Sequence, residues 1–211
     1  MIKSANYLLI VFLLISLNIF GQKENWTKEM SKDGKVEVMN FISTRIDDDG
    51  NEVQLAEYSA TTIAEGNIEN FSTLLKDASL HKRFMDNTDI SEEVKVLADN
   101  QWLVYYYFDS PWPMPNSDCV MKMKFTENKA EKTIVYEGVP TPKLLEEKDV
   151  KRMTYYVVNY TVKQLEGGKV DVSMWAKVTP VVSGPDWMMN AWFPKGPAGI
   201  LTRLVKAANN L

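Results

Sequence analysis

Apolar and polar positions alternate with a period of two over most of the chain, and switch to a helical period in two places. Val36, Val38 and Phe41, running into Ser43–Arg45, predict a first strand. Asp47-Asp48-Asp49-Gly50-Asn51 is a turn signal, because Asp and Gly reach left-handed backbone angles cheaply. Val53–Ile63 resumes the strand pattern, so the two runs predict a hairpin. Residues 22–33, before it, read as a loose polar lead-in. Ile68, Phe71, Leu74 and Leu75 recur at helical spacing behind Asn67, a good N-cap. Leu80, Phe84 and Met85 continue that face, which predicts one broken helix or two short ones over Asn67–Asp86.

From Ile90 the period of two returns and persists. The predicted strands are Ser91–Ala98, Gln101–Asp109, Ser117–Glu127, Ala130–Glu137, Met153–Leu165 and Lys169–Thr179. Asp99-Asn100, Glu127-Asn128-Lys129 and Gly167-Gly168 supply the turns, giving an antiparallel meander. Cys119, Met121, Met123 and Phe125 share one face against Lys122 and Lys124. Tyr156, Val158, Tyr160 and Val162 form a second apolar row, and Val170, Val172, Met174, Ala176 and Val178 a third. Within 101–109 both rows are apolar: Leu103, Tyr105 and Tyr107 on one face, Val104, Tyr106 and Phe108 on the other. Alternation leaves open which faces inward.

An apolar sheet face needs a cover. Gly184-Pro185 breaks the strand pattern, and Trp187, Met188, Met189, Trp192 and Phe193 form a short apolar segment. Ile200, Leu201, Leu204, Val205 and Ala208 then mark an amphipathic terminal helix with Pro197 in its first turn and Lys206 near its end. The expected class is α+β: a curved antiparallel sheet around a C-terminal helix, with a hydrophobic cavity between them.

Charge and composition narrow the function. Residues 1–21 read as a secretory signal peptide: Lys3, then a run from Tyr7 to Phe20 broken only by Ser16 and Asn18, then small Gly21. The expected product is an exported, soluble periplasmic or extracellular domain, residues 22–211. Its charges are 23 basic and 28 acidic, interspersed, which offers no footprint for nucleic acid. Cys119 is the single cysteine and reads as a small buried residue. With one histidine, His81, the chain has no zinc-ligand spacing, and no metal or cofactor is expected. No nucleophile stands with a base and an orienting group, so no catalytic residue is assigned. Asp118 is either a strand-start carboxylate that faces solvent or bonds turn amides or, if buried, the partner of Arg152, Lys151 or Lys177.

Tyr105-Tyr106, Ser110-Pro111-Trp112-Pro113 and Asn116-Ser117-Asp118 carry a resemblance to the START domain, the lipid-transfer module of the Bet v 1-like helix-grip superfamily. Ser117 stands where that family usually has arginine, and Gly184, Pro185, Trp187 and Asn190 match its approach to the terminal helix with shorter spacing. The order of elements fits over about residues 35–208. The resemblance implies a tunnel gripped by the last helix, and reversible binding or transfer of a lipid or sterol-like molecule. Residues expected to line it are Tyr105, Tyr107, Cys119, Met121, Met123, Tyr156, Tyr160, Met174 and Leu201. Trp112, Trp187 and Trp192 are expected near its mouth, where Trp112 would cap the cavity, line the entrance or make transient membrane contact. Asn159, Thr161 and Thr154 are weaker candidates for polar contacts. The alternatives are a cyclase/aromatase-like enzyme, with Glu57, Asp118 or His81 as acid or base, and a protein-interaction domain.

Overall fold

A computed structural model describes residues 26–211, apart from positions 113 and 183. The expected signal segment and Pro113 lie outside the described residues. Ten strands form one sheet. In chain order they are β1 (Thr27–Met30), β2 (Glu37–Ile46), β3 (Glu52–Glu65), β4 (Thr88–Ala98), β5 (Gln101–Phe108), β6 (Ser117–Asn128), β7 (Thr133–Pro140), β8 (Lys151–Arg152), β9 (Tyr156–Gln164) and β10 (Lys169–Val178). The helices are α1 (Ile68–Lys76), α2 (Asp186–Asn190) and α3 (Lys195–Asn209). A 3₁₀ turn over Ala78–Arg83 follows α1, as the broken helical pattern predicts.

The sheet order is β1-β2-β3-β10-β9-β7-β6-β5-β4, and the pairs along it are antiparallel. The meander from β4 to β10 matches the expected connections. The first hairpin then joins at the far side, with β3 pairing β10 from Glu65↔Lys169 to Ala56↔Val178. Local chemistry sets the turns. The Asp47 carboxylate accepts from the Asp49 and Asn51 amides, and Gly50 sits at φ +84°, where a Cβ would be strained. The Asn67 side chain accepts from the Glu69 amide at the start of α1, and Asp77 caps the 3₁₀ turn in the same way.

Two strands escaped the sequence pattern. β1 lies in the segment read as a loose lead-in; its side chains are all exposed, so pairing with β2 leaves no apolar periodicity. β8 is two residues long and pairs β6 in parallel, Ser117↔Lys151 and Asp118↔Arg152. The expected strand Ala130–Glu137 begins instead at Thr133, because Lys132 takes a positive φ in the turn.

The apolar rows of β6, β9 and β10 meet Phe71, Leu74 and Leu75 of α1 and Ile200, Leu201, Leu204 and Ala208 of α3 in one core. Cys119, Met174 and Leu201 are fully buried there. The sheet curves around α3, as a helix-grip fold requires, and α2 with Trp192 and Phe193 closes one end.

Candidate functional site

An open apolar pocket of about 250 Å³ lies at that end. Tyr58 of β3, Phe108 of β5, Tyr156 of β9 and Val178 of β10 form its sheet side. Met189, Trp192 and Ile200 form its helical side, with Met85, Met114 and Met153 between. Trp192 stands edge-on to Tyr58 at 5.1 Å between ring centres. Behind this mouth is a chamber with about 10 Å³ of free volume, enough for roughly one water. His81, Tyr106, Met121, Met123, Tyr136 and Tyr160 surround it, and Met85 and Tyr156 line both spaces. Gly138 explains how the chamber is filled. A Cβ there would meet the Met123 sulfur at 2.6 Å and the Met121 methyl at 2.7 Å, so the bare backbone admits both side chains.

His81 is committed on both ring nitrogens. Nε2 lies 3.0 Å from the Leu75 carbonyl and Nδ1 2.7 Å from the Tyr106 hydroxyl. A carbonyl only accepts, so Nε2 carries the hydrogen and Tyr106 donates to Nδ1 of a neutral ring. Burial pushes the imidazole pKa down from 6.5 to about 4, outweighing the Leu75 hydrogen bond. Burial likewise raises the hydroxyl pKa values of Tyr58, Tyr106, Tyr136, Tyr156 and Tyr160 and the Cys119 thiol. Among the described residues, the chamber lining therefore carries no formal charge at neutral pH.

The His81 shift has a definite sign in stability. The folded protein keeps the ring neutral down to about pH 4, while the unfolded chain takes its proton near 6.5. This contribution is complete above the unfolded value and is lost as pH falls from 6.5 to about 4, a loss of about 3 kcal/mol. Urea midpoints of wild type and His81→Phe should diverge in slope over that interval. Parallel slopes would show that the ring is not held neutral.

The 101–109 ambiguity resolves against the expected row. Tyr106 faces the chamber. Tyr105 packs with Leu103 and Val120 on the outer face, beneath Leu145, with the Lys148 ammonium 3.8 Å from its ring centre. Tyr107 is on that face too, accepting from the Asn116 side chain at 2.8 Å. Tyr105 and Tyr107 therefore do not line the cavity. Asn159 and Thr161 bond each other outside it. Cys119, Met174 and Leu201 belong to the core but border neither space. Met121, Met123 and Tyr160 line the chamber, Tyr156 both spaces, and Trp192 the mouth. Trp112 and Trp187 are 93% and 71% exposed.

Asp118 is 0% exposed, not solvated. Its two oxygens accept from Arg152 Nε and Nη2 at 2.9 and 2.7 Å. The rest of the Arg152 fork reaches the carbonyls of Pro142, Leu145 and Glu146. The pair clamps the 141–150 loop over the back of the sheet. Glu57, also on the outer face, pairs Lys177 at 2.9 Å and accepts from the Trp175 indole. At the mouth, Asp86 pairs Arg203 of α3, whose Nε also donates to the Phe84 carbonyl. Partial burial raises the Asp86 pKa against the pull of Arg203. Among the described residues, no group of three or more His, Cys, Asp or Glu side chains is placed to hold a metal ion.

Sequence reasoning did not single out Tyr58, Met85 or Tyr136 as lining residues. Tyr136 shares a strand face with Ile134, and Tyr58 with Ala56 and Ala60, so alternation held the signal. His81, named only as an acid or base for the cyclase-like alternative, gave no sign of lining the chamber, being one polar residue among Leu80, Lys82 and Arg83.

No family profile matches the sequence, and no curated protein matches it. Solved structures do match its fold. A STAR-related lipid transfer protein fragment from Xanthomonas axonopodis superposes with a TM-score of 0.70 at 20% identity, covering 87% of this chain and 98% of that one. Human STARD10 gives 0.67 at 20% identity, over 88% and 73% of the two chains. The Zhui aromatase/cyclase from a Streptomyces species gives 0.51 at 11% identity, over 74% and 94%. A meander closed by the first hairpin around a terminal helix, superposing on these structures over most of its length, gives this chain the START-type helix-grip fold.

Proposed function

We propose that the protein binds an apolar small molecule reversibly between the sheet and the α2–α3 cover, and carries it unchanged. The observation that carries this reading is the apolar mouth pocket, sharing Met85 and Tyr156 as a common wall with a methionine- and tyrosine-lined interior. Such pockets bury apolar ligands and orient them with a few polar groups. Methionines that fill the interior can swing aside without breaking a hydrogen bond. Its neighbours in fold include proteins named for lipid transfer. A carrier role also suits the fixed imidazole: with both nitrogens engaged, His81 is poorly placed as a general base.

The test is native mass spectrometry of protein purified from its own host, followed by lipid extraction. A stoichiometric, unmodified apolar compound is expected. Protein that is empty, and stays empty after incubation with lipid vesicles, would overturn the reading; turnover of the bound compound would favour the cyclase-like alternative. The same intact mass reads the N-terminus. Cleavage of residues 1–21 predicts a chain starting at Gln22, exported to the periplasm or the medium.

Loading involves brief contact with a lipid surface. Exposed Trp112 sits in the loop that supplies Met114 to the mouth, and exposed Trp187 in the helix that supplies Met189. Indole rings favour the membrane–water interface. Replacing both by alanine is expected to slow uptake from phosphatidylcholine vesicles while leaving the thermal midpoint unchanged. An unaltered uptake rate would exclude this contact.

A further inference from the structure

The chamber behind the mouth is polar in a particular way. The Tyr160 hydroxyl is buried and meets no partner within hydrogen-bonding geometry, although the Tyr156 hydroxyl is near enough to stabilise its charged form. Tyrosine hydroxyls buried this deeply normally find a partner. The Tyr106 hydroxyl beside it spends its hydrogen on His81 and, with the Tyr136 hydroxyl as a further neighbour, still has acceptor capacity for one more donor. An unfilled donor and spare acceptors thus face the same small space, walled elsewhere by Met121 and Met123.

Among the described residues, no cation lines the chamber. Arg203 lies towards the mouth and is engaged by Asp86 and the Phe84 carbonyl. A carboxylate or phosphate pushed into the chamber would be stripped of water with no counter-charge, which is prohibitive. A hydroxyl or ketone would complete the tyrosine network at little desolvation cost.

Resting on the carrier reading above, we propose that the His81–Tyr106–Tyr160 chamber receives the polar end of an uncharged lipid, an alcohol or a ketone. The Tyr160 hydroxyl is its direct hydrogen-bond partner. The molecule enters oxygen first, its apolar body lies in the mouth pocket, and Met121 and Met123 move to admit it.

The test uses two probes with the same tail, 1-dodecanol and dodecanoate, titrated calorimetrically at pH 8 into delipidated mature protein and its Tyr160→Phe variant. Because the Tyr160 hydroxyl makes no well-formed hydrogen bond in the free protein, the variant should fold with a thermal midpoint little changed. Wild type is expected to prefer the alcohol. Tyr160→Phe is expected to weaken the alcohol by about five- to tenfold and to leave the carboxylate unaffected. Carbon-13 methyl spectra should also show Met121 and Met123 shifting with the alcohol. If both probes bind equally and Tyr160→Phe changes neither, the oxygen stays outside and this proposal fails while the carrier reading stands. Tighter binding of dodecanoate fails it likewise. If neither probe binds, the proposal falls together with the reading beneath it.

Discussion

An Arg152→Ala protein is expected to unfold with a free energy about 3–5 kcal/mol below that of wild type. The side chain of Arg152 is 4% exposed and that of Asp118 0%. Truncation leaves a buried carboxylate without its counter-charge and releases the carbonyls of Pro142, Leu145 and Glu146. Asp118 itself is fixed on β6 and cannot move out to water. Removing both charges together, as Asp118→Asn with Arg152→Met, should cost less than Arg152→Ala alone, because no unpaired ion remains. Lysine at 152 should rescue only part of the loss, since an ammonium cannot present the two-pronged fork. Urea midpoints at pH 7 decide the matter. A change under 1 kcal/mol for Arg152→Ala would mean that water reaches Asp118.

The second large effect concerns the grip itself. Leu204→Ala is expected to lower stability by about 3–5 kcal/mol. Leu204 is fully buried where α3 crosses the concave face, close to the rigid sheet and to α1. Surroundings held on both sides collapse poorly into the space left behind, so the cavity term adds to the lost transfer energy. Lys206→Ala, two residues on and exposed, should change stability by less than about 0.5 kcal/mol. Similar midpoints for the two variants would show that α3 does not bear on the sheet.

The parts of this fold readable from the chain were those with one wet face. β9, β10 and the second half of β6 keep one wetter row of side chains, so a period of two survives in the residue order and places Met121, Met123, Tyr156 and Tyr160 on the interior side. β5 failed that test for a physical reason. Its outer row is roofed by the 141–150 loop, so Tyr105 is as deeply buried as Tyr106. When both faces are dry, alternation carries no direction. Arg152 was one of three partners open to Asp118 if buried, but the choice could not be made because it comes from a two-residue parallel strand 34 positions away, too short to leave a pattern. The chamber was hidden in the same way. It joins His81 from a 3₁₀ turn to tyrosines on three different strands, and only the closed sheet brings them together.

The pairing of β3 with β10 bears on how the chain reaches this state. The β2–β3 hairpin is local and can form early around its Asp47–Asn51 turn. Its other edge finds its partner only in a strand more than a hundred residues later. Until β10 is in place, the apolar row of β3 has no neighbour on that side, and α3 has no finished surface to grip. Loop closure over that span is unrewarded until the last antiparallel pairs form. Folding should therefore end with a concerted closing of the two ends of the chain, on the slow scale of roughly milliseconds to seconds typical of non-local sheets. A molecule already seated in the cavity at that moment would be enclosed by the closing step rather than admitted afterwards.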